Sequence, residues 1–211
     1  MAESAPDPAS AVAGADVVLS VNAAAVAVGA AREALPALGA AALYADLNTA
    51  APALKREMGG LAGDRFADVA LLGPVPATGI ATPALASGPG AQAFAEALGP
   101  LGMPVTVVSD RAGDAAAMKL VRSVFMKGLA ASAVESMRAA AAAGHADWLA
   151  DEIAEVIGRP LLDRLLEGSQ VHAARRVDEM EAASQLLVEL GVEPRIAHAS
   201  AELLTELAGT D

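Results

Sequence analysis

The chain has 211 residues, of which 55% are hydrophobic and only 2% aromatic, and its formal net charge is −12 at pH 7. This apolar content suffices to bury a core, which must be built from Ala, Val, Leu, Ile and Met because rings are scarce. The negative charge repels phosphate backbones and few rings can stack on bases, so a nucleic acid partner is not expected. The sequence contains no cysteine, which excludes disulfides and thiolate chemistry and weakly favours the reducing cytoplasm.

The N-terminal segment, MAESAPDPAS, has neither the basic start nor the apolar core of a signal peptide. The longest uncharged run, VVLSVNAAAVAVGAA at 17–31, is shorter than the roughly 20 apolar residues that a membrane-spanning helix needs. We therefore expect no association with a membrane.

The first half of the chain contains short apolar runs that end at turn-forming residues, at 15–22, 42–48 and 66–73, and the first of them has three valines. Helical patterns at 23–38 and 51–62 separate them, and a fourth strand at 104–110 follows a helix at about 90–99. This alternation predicts crossover connections and hence a parallel sheet.

The segment GPVPATGIATPALASGPG at 73–90 is dense in Gly, Pro, Ser and Thr and is predicted to be one long loop after a strand. Loops at that place in an α/β sheet often bind ligands, and a purely structural connector is an equally good interpretation.

From Gly113 onward the strand patterns stop, and helical periodicity continues through 114–143, 147–157, the segment after Pro160, 170–190 and 194–208. The predicted fold class is α/β followed by all-α. A partial Rossmann-like parallel sheet domain occupies 1–110, and an all-helical C-terminal domain occupies 111–211.

The stretch GDAAAMKLVRSVFMKG at 113–128 places two lysines and an arginine in a strongly apolar region. On a helix, Lys119, Arg122 and Ser123 are neighbours at i, i+3 and i+4. A lysine in a partly dry cleft can exchange a proton with a substrate hydroxyl. Alternatively, Lys119 extends along the apolar surface of the helix and keeps its ammonium in solvent, and the spacing alone favours this interpretation. Lys127 is rotated away and is interpreted as a surface or partner contact.

Several motifs together resemble the β-hydroxyacid dehydrogenase family, which includes 3-hydroxyisobutyrate and 6-phosphogluconate dehydrogenases. They are DLNTAAP at 46–52, GPVP with later TP and SG, and G-x-x-x-x-x-K opening a long helix. The segments 123–144 and 172–180 resemble the helical C-terminal domain of a phosphogluconate-dehydrogenase-like branch. The resemblance covers nearly the whole chain and implies a homodimer, assembled through the helical domain, that uses NAD or NADP on a small hydroxy acid.

The resemblance also implies roles for residues that match the family's substrate site. Lys119 would be the catalytic residue and would exchange a proton with the substrate hydroxyl while a hydride passes to or from the nicotinamide. Arg122 and Ser123 would bind a carboxylate or hydroxyl of the substrate. Further substrate-binding positions, in the loop that grips the substrate carboxylate in the family, are Pro76, Thr78 and Gly79.

The cofactor-binding residues implied by the resemblance follow two of the predicted strands. Val21 and Asn22 match the strand-end loop along the cofactor, and Asn48 and Thr49 match the loop near the nicotinamide ribose. Capping of the helix that begins after Thr49 is an equally weighted interpretation of Asn48.

The sequence departs from the family pattern at three places. The family's Ser-Gly-Gly is replaced by residues 76–78, the second glycine before the lysine is Ala115, and the asparagine one turn after it is Ser123. These changes leave the substrate class open.

The family's G-x-G-x-x-G turn, which binds the pyrophosphate, does not precede the strand at 15–22. SGPG at 87–90 is not a substitute, because it follows a predicted loop and lacks the spacing. The pattern predicts a chain that begins after the first two or three strands of the fold, with the strand at 15–22 at an exposed sheet edge. A non-catalytic dimeric metabolite-binding or interaction module is one alternative, and a full enzyme with about 60 further residues is another.

His172, Arg175, Arg176 and Glu179 share one predicted helical face, which could reach a phosphate or acid group or could be a solvated ion-pair face. No metal site is expected, because no companions at metal-ligand spacing accompany the other histidines, His145 and His198.

Overall fold

The computed structural model describes residues 4–209. The chain divides into two compact units, Met1–Lys119 and Leu120–Asp211. The division falls within one continuous helix, whereas the predicted domain boundary at 110/111 precedes that helix.

The first unit is built on a five-stranded sheet in the order β1-β2-β3-β4-β5. The pairs β1–β2, β2–β3 and β4–β5 are parallel, and β3–β4 is antiparallel. This confirms a predominantly parallel α/β domain. The strands are β1 (Val17–Ser20), β2 (Leu43–Asp46), β3 (Phe66–Leu71), β4 (Ala84–Ser87) and β5 (Val105–Ser109).

Helices cover both faces of this sheet. They are α1 (Pro8–Val12), α2 (Ala24–Ala34), α3 (Pro52–Ala62), α4 (Val75–Thr78) and α5 (Ala91–Leu98). One hydrophobic cluster joins α2 and α3 to Tyr44 and Phe66, and the other joins α5 to Ala45 and Val69, because side chains of a strand alternate between faces.

The prediction of one long loop over 73–90 is wrong. This segment holds α4, a 3-10 turn and β4, and Ala84, Ala86 and Ser87 of the strand are buried. The sequence of β4, ALAS, has no β-branched residue and stands among Gly and Pro, so strand propensity gave no signal. The antiparallel pairing suits the short connection from β3, because no crossover helix is needed.

β1 lies at one edge of the sheet, as the sequence predicted. Among the described residues it pairs with β2 on one side, and Leu19 in its middle is 44% exposed. Such an edge presents backbone hydrogen-bonding groups to its surroundings.

The second unit is helical, as predicted. The helix α6 (Asp114–Ala143) continues into it from the first unit and ends at Gly144, whose φ is +77°. Gly128 allows α6 to approach the last helix, Arg195–Ala208, closely, since a Cβ there would lie 2.6 Å from Ile196. The remaining helices are α7 (Ala146–Ile157), α8 (Arg159–Val171), α9 (Ala173–Glu189) and α10 (Arg195–Ala208).

Across the described residues, every helix is too short or too polar to span a bilayer. The same part of the chain contains no group of three or more His, Asp or Glu side chains arranged to hold a metal ion.

Candidate functional site

Lys119 lies on the second turn of α6, and its ammonium contacts the segment that follows β2. Its Nζ donates a hydrogen bond to Oγ1 of Thr49 at 2.7 Å, and the contact is partly buried. Lys119 is therefore directed toward the carboxyl ends of β1 and β2, where α/β folds commonly bind ligands.

The start of α6 is fixed to the sheet by buried side chains of β3 and β4. Oδ2 of Asp68 accepts hydrogen bonds from the amides of Gly113 and Ala116, each at 3.1 Å. Oγ of Ser87 donates to the same carboxylate at 3.0 Å and accepts from the amide of Ala115 at 2.9 Å. A carboxylate at a helix N-terminus also interacts favourably with the helix dipole. These contacts set the position of the turn that carries Lys119.

Lys55 of α3 is fully buried between two carboxylates. Its Nζ lies 2.5 Å from Oδ2 of Asp46 and 3.1 Å from Oδ1 of Asp68, and it donates to the carbonyl of Asp46 at 2.9 Å. The contact with Asp68 is an ion pair whose angles lie outside those of a hydrogen bond, since that oxygen has no hydrogen-bond partner. Two carboxylates share one ammonium here, and the amides at the start of α6 supply the remaining positive partial charge.

Asn48 joins the ends of β1 and β2. Its Nδ2 lies 2.5 Å from Oδ1 of Asp46, 2.8 Å from Oδ1 of Asn22 and 3.3 Å from Oγ of Ser20, and its Oδ1 accepts from the amide of Asn22 at 2.6 Å. The alternative interpretation of Asn48 as a helix cap is wrong, because α3 has Ala51 at its N-cap position and no side-chain cap.

The residues predicted to bind a cofactor lie close together at this edge of the sheet. Asn22 is exposed and bonded to the buried Asn48, while Thr49 contacts Lys119. Val21 is 74% exposed. The structure thus brings together polar groups of Asn22 and Thr49, an apolar surface of Val21 and the candidate catalytic lysine.

The SGPG turn directly follows β4 and precedes α5, so the expectation that it follows a loop is wrong. Even so, the space beside its glycines is filled by neighbouring protein atoms and is not open to a ligand. A Cβ at Gly90 would lie 2.7 Å from a methyl carbon of Leu43 and 2.9 Å from the carbonyl of Phe66. The amide of Gly90 itself donates to that carbonyl at 2.7 Å. This turn packs against β3 and does not form an open phosphate cradle.

The predicted substrate loop is a short helix and turn in which Pro76, Thr78 and Gly79 are all exposed. Pro76 has no N–H, and the amides of residues 77–79 donate to the carbonyls of Pro74 and Val75. Substrate binding at these positions stays a prediction, and it would have to use the side chains of Pro76 and Thr78 rather than amides, since Gly79 has no side chain.

On α6 in the second unit, Arg122 and Ser123 have opposite environments. Arg122 is exposed, whereas Ser123 is 1% exposed and its hydroxyl donates a short hydrogen bond to Oε1 of Glu179. Nζ of Lys127 lies 2.9 Å from the same oxygen, with 16% of its side chain exposed. The interpretation of Lys127 as a surface contact is therefore wrong.

Two arginines of α9 lie near this ion pair. The side chain of Arg176 is half-buried and donates to Oγ of Ser169 at 3.1 Å, whereas Arg175 is exposed. Burial is the main cause that lowers the pKa of Lys127, the two arginines lower it further, and Glu179 opposes them. Burial likewise lowers the pKa of Arg176. The alternative interpretation of this helical face as solvated fits His172 and Arg175, which are exposed, but not Glu179, which is buried.

Solved structures share this fold over nearly the whole chain. A conserved hypothetical protein from Sinorhizobium meliloti 1021 is 31% identical with a TM-score of 0.74, covering 97% of this chain and 71% of its own. The conserved protein MTH1747, whose structure is described as similar to 3-hydroxyacid dehydrogenases, is 29% identical with a TM-score of 0.71, covering 90% of this chain and 74% of its own. The chain belongs to the 3-hydroxyacid (β-hydroxyacid) dehydrogenase family.

More distant structures of the dehydrogenase fold carry ligands. Mycobacterium tuberculosis 3-hydroxyisobutyrate dehydrogenase, solved with L-serine, is 19% identical with a TM-score of 0.77, covering 96% of this chain and 77% of its own. Psf3, solved with NADP+ and 2-OPP, is 21% identical with a TM-score of 0.71, covering 97% of this chain and 77% of its own. These likenesses show the dehydrogenase fold.

The helical unit carries the dehydrogenase family's C-terminal domain, since a domain of unknown function, DUF1932, matches residues 140–207. A curated relative, an uncharacterized 28.5 kDa protein of Methanothermus fervidus, is 26% identical over 156 residues. The match covers 72% of this chain and 61% of that relative. The chain thus spans about three-fifths of the length of the curated relative it matches.

Proposed function

We propose that this protein is an NAD(P)-dependent oxidoreductase that interconverts a small hydroxy acid and the corresponding oxo acid. The observation that carries the proposal is the 2.7 Å hydrogen bond between Nζ of Lys119 and Oγ1 of Thr49. It places an amine beside the strand ends where the predicted cofactor residues converge. Membership of the 3-hydroxyacid dehydrogenase family and the NADP+ bound to Psf3 support it.

The residues at this edge fit the nicotinamide end of such a cofactor. The exposed side chain of Asn22, oriented by Asn48, offers a donor and an acceptor to ribose hydroxyls, and Val21 offers an apolar surface beside it. Thr49, which contacts Lys119, is the second residue that would hold the ribose. The glycines of the described turn at 87–90 pack against the protein and do not fit the pyrophosphate. When bound, the nicotinamide would accept or donate the hydride.

Lys119 would move the proton of the reaction. In oxidation, its neutral amine accepts the proton of the substrate hydroxyl as the C–H electrons leave with the hydride, and in reduction its ammonium returns that proton. Thr49 accepts a hydrogen bond from the amine and so orients it, and the contacts of Asp68 with the amides of Gly113 and Ala116 fix the helix.

Arg122, one turn further along α6, is the proposed carboxylate-binding residue of the substrate site. Its exposed guanidinium offers the bidentate geometry that carboxylates favour. The Ser123 hydroxyl donates to Glu179, so any contact with substrate would use its lone pairs. Pro76 and Thr78 of the first unit are proposed to contact the substrate through their side chains, and Gly79, which has no side chain, through its α-carbon.

The test is a titration of NADPH and NADH into the 211-residue chain, followed by cofactor fluorescence and by turnover of small hydroxy acids. We expect saturable binding in both the wild type and Lys119→Ala, and a loss of turnover in Lys119→Ala of about 10²- to 10⁴-fold. Thr49→Val is the matched control, because it keeps the amine and removes its hydrogen-bond acceptor, and its loss should be smaller. Unchanged turnover in Lys119→Ala would refute the assigned role.

A non-catalytic metabolite-binding or interaction module is the second candidate. Two observations favour it. The amides of residues 77–79 already donate to carbonyls of the same segment, and Gly88 and Gly90 pack against protein atoms, so neither set of groups is open to a ligand. A folded protein that binds neither NADPH nor NADH would support this candidate against the first.

We also propose that the protein forms a homodimer through its helical unit. Large apolar side chains are exposed on these helices, and exposed apolar surface commonly marks an interface. The exposed side chains that support the dimer are Val121, Phe125, Trp148, Val156, Val171 and Val188.

A cytoplasmic location stays a prediction from the composition.

A further inference from the structure

We propose that the helical unit contains an oxyanion-binding site, formed by Lys127, Arg175 and Arg176 around Glu179, which takes a carboxylate or phosphoryl group. The site lies on α6 and α9, and its Glu179 accepts a hydrogen bond from Ser123 of the proposed substrate set. Its test does not depend on the oxidoreductase activity proposed above.

The first observation is the balance of charge. Lys127 and Arg176 are both at least half-buried, Arg175 is exposed beside them, and Glu179 forms an ion pair with Lys127. The single charge of Glu179 cannot neutralise both Lys127 and Arg176, and a buried charge without compensation is unfavourable. This local excess of positive charge occurs in a chain whose net charge is −12.

The second observation is that the guanidinium of Arg176 is held in place. It donates to Oγ of Ser169 at 3.1 Å, and that hydroxyl in turn donates to the carbonyl of Leu165 at 2.7 Å. Gly168 provides the space, since a Cβ there would lie 2.6 Å from Nη2 of Arg176. Ser169 takes one of the five guanidinium donors, so the fixed planar group can offer others to an anion.

The third observation concerns Lys127. Glu179 accepts from its Nζ at 2.9 Å, and Ser123 lies 3.4 Å away, so two neighbours orient an ammonium that has three donors. Its side chain is 16% exposed, so part of it reaches solvent.

The cations are also close enough to repel one another. Arg175 and Arg176 both disfavour the charged form of Lys127 and add to the effect of burial on its pKa. A bound oxyanion relieves this repulsion, and so binding must raise the pKa of Lys127.

The measurement is an NMR titration of the lysine ε-carbons in 13C-lysine-labelled protein. The chain has three lysines, at 55, 119 and 127, and Lys127→Arg assigns the signal. Sodium phosphate and sodium acetate are the two probes, each compared with sodium chloride at equal ionic strength. Acetate has no hydroxyl to oxidise, so the result does not depend on dehydrogenase activity.

We expect a saturable rise in the pKa of Lys127 that sodium chloride does not produce. A response to phosphate alone identifies a phosphoryl site, a response to acetate alone identifies a carboxylate site, and a response to both identifies a general oxyanion site. No saturable shift with either probe would overturn the proposal.

Three variants locate the site. Arg176→Gln should weaken anion binding about tenfold or more, and Arg175→Gln, which removes an exposed side chain, should weaken it severalfold. The control is Arg138→Gln, because Arg138 is exposed on α6 and pairs with Glu206 away from these residues. If Arg176→Gln fails to fold, Arg175→Gln decides the test, and equal affinity in Arg175→Gln and Arg138→Gln would refute the site.

Discussion

Oδ2 of Asp68 accepts a hydrogen bond from the amide of Gly113 at 3.1 Å, which ties the middle of β3 to the start of α6. The other oxygen of the same carboxylate lies 3.1 Å from Nζ of Lys55. One buried side chain therefore connects the ion pair inside the sheet to the helix that carries Lys119.

We expect Asp68→Asn to destabilise the protein strongly. The change removes the charge that pairs with Lys55 and faces the α6 amides, and breaking a buried pair costs about 3–5 kcal/mol. Urea unfolding measures the loss, and Asp64→Asn is the control because Asp64 is exposed. A loss of less than about 1 kcal/mol, within the range of an exposed pair, would show that the network contributes little.

Lys55→Met should be similarly harmful, because it leaves Asp46 and Asp68 buried without their shared cation, at a cost of about 3–5 kcal/mol. Adding Asp46→Asn removes one of the two charges and should restore part of the stability. A double-mutant cycle in urea gives the coupling energy between Lys55 and Asp46. Additive losses would contradict direct pairing.

Asp114 should stabilise the folded state only above acidic pH. The hydrogen bond from Ser109 is the main cause that lowers the pKa of Asp114 below 3.8, and Arg111 contributes. Because the folded pKa lies below the unfolded one, this stabilisation is present above pH 3.8 and is lost as the pH falls through the folded value. Asp114→Asn should lower the unfolding free energy by about 0.5–1 kcal/mol at neutral pH. The two proteins should converge in acid, and a constant difference would contradict this.

Lys127 should produce a pH dependence of the same sign as Asp114, but in the alkaline range. Its folded pKa lies below 10.5, so between those values the unfolded chain binds the proton more readily and stability rises with pH. Lys127→Arg keeps the charge beside Glu179 but does not titrate in this range. Unfolding free energies measured from neutral to alkaline pH should therefore rise more steeply in the wild type than in Lys127→Arg. Equal slopes would mean that burial does not perturb the lysine.

The proposed dimer can be tested at Phe125, which is 69% exposed on α6. Phe125→Glu should convert dimer to monomer in light scattering without loss of helical circular dichroism. Glu135→Gln, at an exposed position of the same helix, is the control. A wild-type protein that is already monomeric would disprove the dimer.

The sequence was sufficient to predict the elements whose side chains carry a regular signal. Short apolar runs that end at turn-forming residues identified β1, β2, β3 and β5, and helical periodicity identified α6 and its end at Gly144. β4 was missed because its burial depends on its neighbours rather than on its own residues. The resemblance matched Asn22 and Asn48 separately to the cofactor site, and the hydrogen bonds between them could be found only in three dimensions.

The sequence analysis also failed to predict the buried ion pairs. Asp46 and Asp68 stand within apolar strands, which should have indicated a buried cation nearby, and Lys55 shares a helical face with the buried Met58 and Ala62. The pairing of Lys127 with Glu179 gave no sequence signal, because 52 positions separate them and only the packing of α9 on α6 joins them.

The complete burial of Lys55 makes it an internal reporter of opening. An acylating reagent can reach a lysine only when its ammonium meets solvent, so labelling or tryptic cleavage at Lys55 requires the first unit to open. The ratio of modification at Lys55 to that at Lys127, followed by mass spectrometry over time, would measure how often this occurs under native conditions, without any denaturant.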